Sequence, residues 1–173
     1  MLAVRGAAPP AALLLSLALA PRASRRGALL SSAADGRPDA EEVVRRVSPI
    51  NLAYLGDSVL EAAAREEFLW PPARVNELSA FVRNISCAEG QSVLLGRIVD
   101  GFGLTADELE WLRRGRNASG RGPNRVSPQV YRASTSLECL VGYLHLTDPA
   151  RLQQLLAWIF ASLREQPLQE PPG

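Results

Sequence analysis

Few side chains in this 173-residue chain could do chemistry, and two of them are carboxylates in apolar surroundings. Asp57 sits between Gly56 and Ser58 in the run NLAYLGDSVLEAAAREEF, Asn51 to Phe68, and Glu138 holds a similar place in ASTSLECLVGYLHL. An ionised carboxylate among apolar side chains is costly unless a cation or hydrogen bonds compensate it. A turn of about 100° per residue puts Ala53, Leu60, Ala64 and Phe68 on the side of Asp57, with Leu52, Leu55, Val59 and Ala63 opposite. Both sides are apolar, so this helix is expected at the centre of the fold. Glu138 shares its face with Ser134, Thr135, Val141 and Gly142. Those small residues, and Gly56 beside Asp57, would let two helices approach closely. Two carboxylates meeting in that way make an oxygen-donor site suited to Mg²⁺. An aspartate that accepts from a buried arginine or caps a neighbouring helix is the plainer alternative.

The other candidates are weaker. Glu61, one turn beyond Asp57, reads as a solvated or ion-paired residue. His145, the single histidine, reads as a packed or partly exposed side chain rather than an acid–base group. Cys87 and Cys139 have no ligand spacing and read as buried thiols, with neither a disulfide nor a zinc site required.

A second constellation is cationic. All 19 basic residues are arginine, a bias that carries little weight by itself. Their placement says more: six fall between Arg113 and Arg132, with no acid between Glu110 and Glu138. The body beyond residue 38 holds 14 arginines against 17 acids, so this stretch reverses the local sign. A flexible loop offering Arg113, Arg114, Arg116, Arg121 and Arg125, with Asn117 and Asn124, suits phosphate contacts. A solvated turn charged for solubility would look the same.

The elements that must position these groups are helical. Apolar residues recur at threes and fours, no strand-like alternation persists, and 47% hydrophobic content supports one well-buried all-α domain over residues 39–165. Asp39 to Val47 reads as a short lead-in, and Ser48–Pro49–Ile50 as a helix start before a helix running to about Trp70. Two helical segments follow. A helix then opens on a Thr105 cap with Glu108 three residues on. The stretch GRNASGRGPNRVSPQV reads as a loop, a further helix runs from about Val130 to Leu146, and an amphipathic helix closes the domain. The tail 166–173 is expected to be disordered.

Residues 1–38 carry five arginines against one acid, with Ser, Ala, Gly and Pro, which is transit-peptide composition. A secretory signal built on AALLLSLALAPRA is the rival. The apolar run falls short of the roughly 20 residues a membrane span needs.

Taken together, LAYLGDSVLE, LRRGRNA and YRASTSLECLVGYLHL resemble the catalytic domain of the ribonuclease III family, in its mini-ribonuclease III branch. The resemblance covers about Ser48 to Ile159 with three motifs in order. It implies an all-α, homodimeric fold, double-stranded or structured RNA as substrate, and Mg²⁺ held by carboxylates. Asp57 matches the family's catalytic aspartate and Glu138 its metal-binding glutamate. Most members carry a glutamate where this chain has Ile50 and an aspartate where it has Thr135, and the mini branch is similar to this chain at both positions. With two carboxylates instead of four, more of the coordination must come from water and RNA phosphate. Too few residues follow Leu163 for a separate double-stranded RNA-binding domain, so binding is expected from the RRGRNA region. The resemblance further implies 5′-phosphate and 3′-hydroxyl products and a role in ribosomal (large-subunit) RNA maturation. A bacterial-type enzyme behind such a leader is expected in the chloroplast, with the mitochondrion as alternative. A silent RNA-binding protein of the same fold is the competing reading, and the presence of both matched carboxylates favours activity.

Overall fold

The structure, a computed structural model, describes residues 40–168. The expected leader therefore lies outside the described residues, as does the end of the tail. The described chain forms seven helices: α1 (Ala40–Arg46), α2 (Pro49–Phe68), α3 (Val75–Ser86), α4 (Ala88–Gly101), α5 (Ala106–Ala118), α6 (Pro128–Thr147) and α7 (Pro149–Glu165). No strand occurs among the described residues, in agreement with the all-α expectation.

Three of these helices start alike. Ser48, Ser127 and Asp148 each accept a hydrogen bond from a backbone N–H three residues on, and each is followed by proline in the first turn. The side-chain oxygen satisfies an orphan donor, and proline's fixed φ suits a position where its missing N–H costs nothing. α5 opens on the capping box foreseen at Thr105 and Glu108. Glu108 is buried, and burial alone would raise its pKa. Paired hydrogen bonds from Arg151 at 2.7 and 3.0 Å, with the Thr105 N–H, hold it below the usual value instead.

The central helix is α6 rather than α2. It packs against α1, α2, α4, α5 and α7, and from Ser134 to Leu144 only Glu138 escapes full burial. Its run of small and apolar residues lets neighbours settle on every side. α2 is its principal partner. The two cross with backbone against backbone: a Cβ on Gly56 would lie 1.8 Å from the Glu138 carbonyl oxygen, and one on Gly142 2.0 Å from that of Leu52. No residue but glycine fits at either point.

Two expectations need correction here. The helix expected to end before the arginine loop continues through Ala118, so Arg113, Arg114, Arg116 and Asn117 are helical; only Arg121 and Arg125 lie in the loop. The reason is tertiary. Gly115 is buried against α6, and the Ser136 hydroxyl donates to the Leu112 carbonyl, which holds this turn in place despite a poor helix former. At the other end, Gln166 and Leu168 belong to the expected tail yet return to the body. The Gln166 carbonyl accepts from Arg97 at 2.7 Å, and Leu168 packs on the core.

Candidate active site

The Gly56–Gly142 crossing decides which side chains meet. Gly56 touches the backbone of Glu138, so Asp57, the next residue, is brought beside the Glu138 carboxylate. Both groups are partly buried rather than fully enclosed, and both line a cavity of about 460 Å³. Burial is the main cause that raises the Asp57 pKa, and the charge of Glu61 adds to it. Glu138 is pushed up to about 7, by burial first and then by the charge of Asp57. Two half-buried acids, both raised by burial and one of them further by the charge of the other, make a place that an added positive charge would stabilise.

One neighbour works the opposite way on both. Gln91, in the first turn of α4, is fully buried, and its Nε2 stands 3.5 Å from Asp57 Oδ1, a long contact. Its amide lowers the pKa of Asp57 and of Glu138. Sequence reasoning missed Gln91. A polar residue one turn after a helix start carries no signal, and its partner lies 34 positions away.

A second cavity of about 650 Å³ adjoins the first across Asp57, and Ser86 and Cys87 also line both. Glu61, Arg65 and Arg83 face this second space. Glu61 pairs with Arg65, as expected of a partly solvated acid. Cys87, expected to be buried, is only partly so. Its Sγ accepts from the Gly90 N–H and caps α4, a local task that keeps it at the surface. Cys139 is buried as expected, and burial pushes its thiol up to about 12. His145 is partly exposed in the last turn of α6.

The residues expected to contact RNA divide. Glu110 takes Arg113 through two hydrogen bonds of 2.7 Å and Arg114 through one of 3.1 Å, and the pull of the two cations lowers its pKa to about 2. Arg114 also lies over the Trp111 ring, 4.8 Å from its centroid. Two of the cations are thus occupied, at the i,i+3 and i,i+4 spacing that only a helix through this stretch creates. Arg116, Asn117, Arg121 and Arg125 are exposed, and Arg125 lines the cavity that holds Asp57 and Glu138.

Comparison with known proteins now bears on this arrangement. The Ribonuclease III domain family matches residues 50–149. The chain belongs to the ribonuclease III family. Proteins named mini-ribonuclease 3 from Synechocystis sp. and Synechococcus sp. are 43% and 45% identical, over 67% and 65% of this chain and 80% of each relative. One from Staphylococcus aureus is 29% identical over 71% of this chain and 94% of its own length. These relatives place the chain in the mini-ribonuclease 3 branch, and membership makes it an endoribonuclease. A crystal structure of a Fusobacterium nucleatum protein shares the fold, with a TM-score of 0.62 and 21% identity over 69% of this chain and 97% of that one.

The donors present fit a hard divalent cation. All are oxygens, and two carboxylates are present whose mutual repulsion a cation would relieve. Ser86 Oγ and Gln91 Oε1 are buried side-chain oxygens without a hydrogen-bond partner among the described residues; Ser86 lines both cavities with Asp57, and the Gln91 amide faces Asp57 through its Nε2. No group of three or more His, Cys, Asp or Glu side chains that could hold a metal ion gathers among the described residues.

Proposed function

We propose that the protein is a Mg²⁺-dependent endoribonuclease that cleaves double-stranded or structured RNA, with Asp57 and Glu138 holding the metal. The observation that carries this reading is the glycine crossing that sets the two carboxylates side by side in an open, partly buried cavity. When bound, Mg²⁺ supplies a Lewis acid that activates water and offsets charge on the phosphate. Asp57 and Glu138 provide the charge and oxygen atoms that keep it in place. Arg125, at the rim of the same cavity, is placed to take an RNA phosphate, and Arg116, Asn117 and Arg121 extend the contact along the end of α5 and its loop. The substrate class is RNA whose maturation needs a cut within a paired region, ribosomal RNA foremost.

The enzyme acts as a homodimer in this reading. Leu69, Trp70, Val75 and Phe81 are large apolar side chains exposed around the end of α2 and on α3, with Trp70 75% and Val75 74% accessible. An exposed group of this kind is more than single-chain solubility favours, and a second copy is the occupant the family arrangement suggests.

The chloroplast is the proposed site of action. The acid-poor, Arg-rich leader supports it. No helix among the described residues is long and apolar enough to cross a membrane.

Incubating the purified protein with a structured precursor RNA, with and without Mg²⁺, tests the reading. Metal-dependent cleavage leaving 5′-phosphate and 3′-hydroxyl ends is expected; RNA that is bound but never cut at any Mg²⁺ concentration would mean that the domain binds without reacting.

A further inference from the structure

Gln91 is the most completely buried polar side chain beside the two carboxylates, and half of its carboxamide is unsatisfied. Its Nε2 faces Asp57 Oδ1, while its Oε1 is buried without a partner. A buried amide oxygen left unpaired costs free energy, so a fold keeps one where the group serves something other than stability. An apolar side chain of the same length would remove that cost. The local backbone shows that Gln91 is held firmly in this position. Gly90 packs so tightly on the corner between α3 and α4 that a Cβ there would fall 1.7 Å from the Asn84 carbonyl oxygen. The Gly90 N–H is tied to the Cys87 thiol at 3.4 Å, and the Gln91 N–H to the Cys87 carbonyl at 3.0 Å. α4 then packs on α6, the helix of Glu138.

We infer that Gln91 is a positioning residue for the metal site, its carboxamide holding the Asp57 and Glu138 carboxylates in the orientation from which they take up the divalent cation. The inference rests on the reading of these two acids as the ligands. An amide suits the task better than a basic side chain. Its N–H groups are donors strong enough to orient two carboxylates, and it carries no net charge to compete with the cation. A Lys or Arg at the same place would cancel one of the two negative charges permanently and weaken the pair's hold on a cation. Among the described residues no third acid joins the two in a metal-holding group, so the amide is the polar side chain set against Asp57. Outer partners of this type commonly contribute 10- to 100-fold to metal affinity.

The test compares the full chain with its Gln91→Met and Asp57→Asn variants, using Mn²⁺ binding by calorimetry or electron paramagnetic resonance as the direct readout. Gln91→Met keeps the length of the side chain and removes both amide groups. It is expected to retain the wild-type RNA affinity, to bind Mn²⁺ at least about tenfold more weakly, and to need proportionately more Mg²⁺ for half-maximal cleavage while approaching the wild-type rate at saturation. A merely structural role would lower the saturated rate and leave the Mg²⁺ requirement alone. Wild-type Mn²⁺ affinity in Gln91→Met, with affinity lost in Asp57→Asn, overturns the role of Gln91 and leaves the ligand assignment standing. Undiminished affinity in Asp57→Asn overturns both. Should Gln91→Met not fold, the side-chain amide resonance of Gln91 in the ¹⁵N-labelled wild type decides. It is expected to shift on saturation with Mg²⁺, and an unmoved resonance sinks the inference.

Discussion

At the scale of single residues, the two carboxylates are alike in surroundings and separable by experiment. Asp57→Asn and Glu138→Gln keep shape and lose charge, so each is expected to lower cleavage by about a hundredfold or more. Several kcal/mol of charge stabilisation depend on the cation they hold. RNA binding and melting temperature should change little, and a gel assay at saturating Mg²⁺ beside a melting curve checks both. His145→Ala should cut at the wild-type rate. The raised pKa of Glu138 gives a second expectation, for protein stripped of metal. The folded state holds the Glu138 proton up to about pH 7, whereas the unfolded chain releases it near 4.5. The stability this contributes is present below about pH 4.5 and is lost as pH rises through about 7, on the order of 3 kcal/mol in all. Urea unfolding in a chelator should therefore show stability falling over that window, and Mg²⁺ should restore it at the upper end. Metal-free stability that rises from pH 4.5 to 7 would contradict the surroundings described for Glu138.

At the scale of elements, helix starts were legible, and of the contacts between helices only the closest was. Ser48–Pro49 and the Thr105–Glu108 box announce themselves locally, because capping is a matter between neighbours three residues apart. The approach of α2 to α6 was readable too, since Gly56 and the small residues around Glu138 have little other purpose in helices of 20 residues. The continuation of α5 through Gly115 was hidden, because packing on α6 outweighs glycine's own preference. Gln91 was hidden for a different reason: its partner is distant in sequence, and amides are common on solvated faces. The arginines lie between these cases. Their number was plain, but the hold of Glu110 on two of them appears only once the helix is seen to run through both. Replacing Arg116, Arg121 and Arg125 together with Gln should flatten the salt dependence of RNA binding by up to about one unit of log slope per lost contact and leave the melting temperature in place. Arg114→Gln should instead cost stability, about 1 kcal/mol, through the Trp111 face and Glu110. A fall in melting temperature with an unaltered slope in the triple variant would move RNA binding elsewhere.

At the scale of the molecule, the proposed reading gives one domain both the reaction and the surface through which copies would meet. The exposed apolar side chains flank the larger cavity rather than lying opposite it: Leu69 and Val75 line the same space as Asp57. A partner bound there would sit beside the site. Trp70→Glu with Phe81→Glu is therefore expected to shift sedimentation at micromolar concentration from dimer to monomer and to weaken cleavage of long duplexes more than the Mn²⁺ affinity of the site. A wild-type protein that sediments only as monomer would remove this part of the reading.

The crossing of α2 and α6 makes the site something like a machinist's jig. The anchor points of the two acids are fixed by main chain resting on main chain, Gly56 on the Glu138 carbonyl and Gly142 on that of Leu52, with no side chain between them. Leucines and valines in the core can drift through one another's shapes over many generations without changing that setting. Two positions lacking any functional group cannot. In a saturation scan scored on cleavage, Gly56 and Gly142 should tolerate as little as the acids themselves, while Gly96, which has open space around it, accepts alanine freely. Scored instead on folded protein, the glycines should still fail and the acids should pass, so that comparing the two scores separates the residues that set the gauge from those that use it.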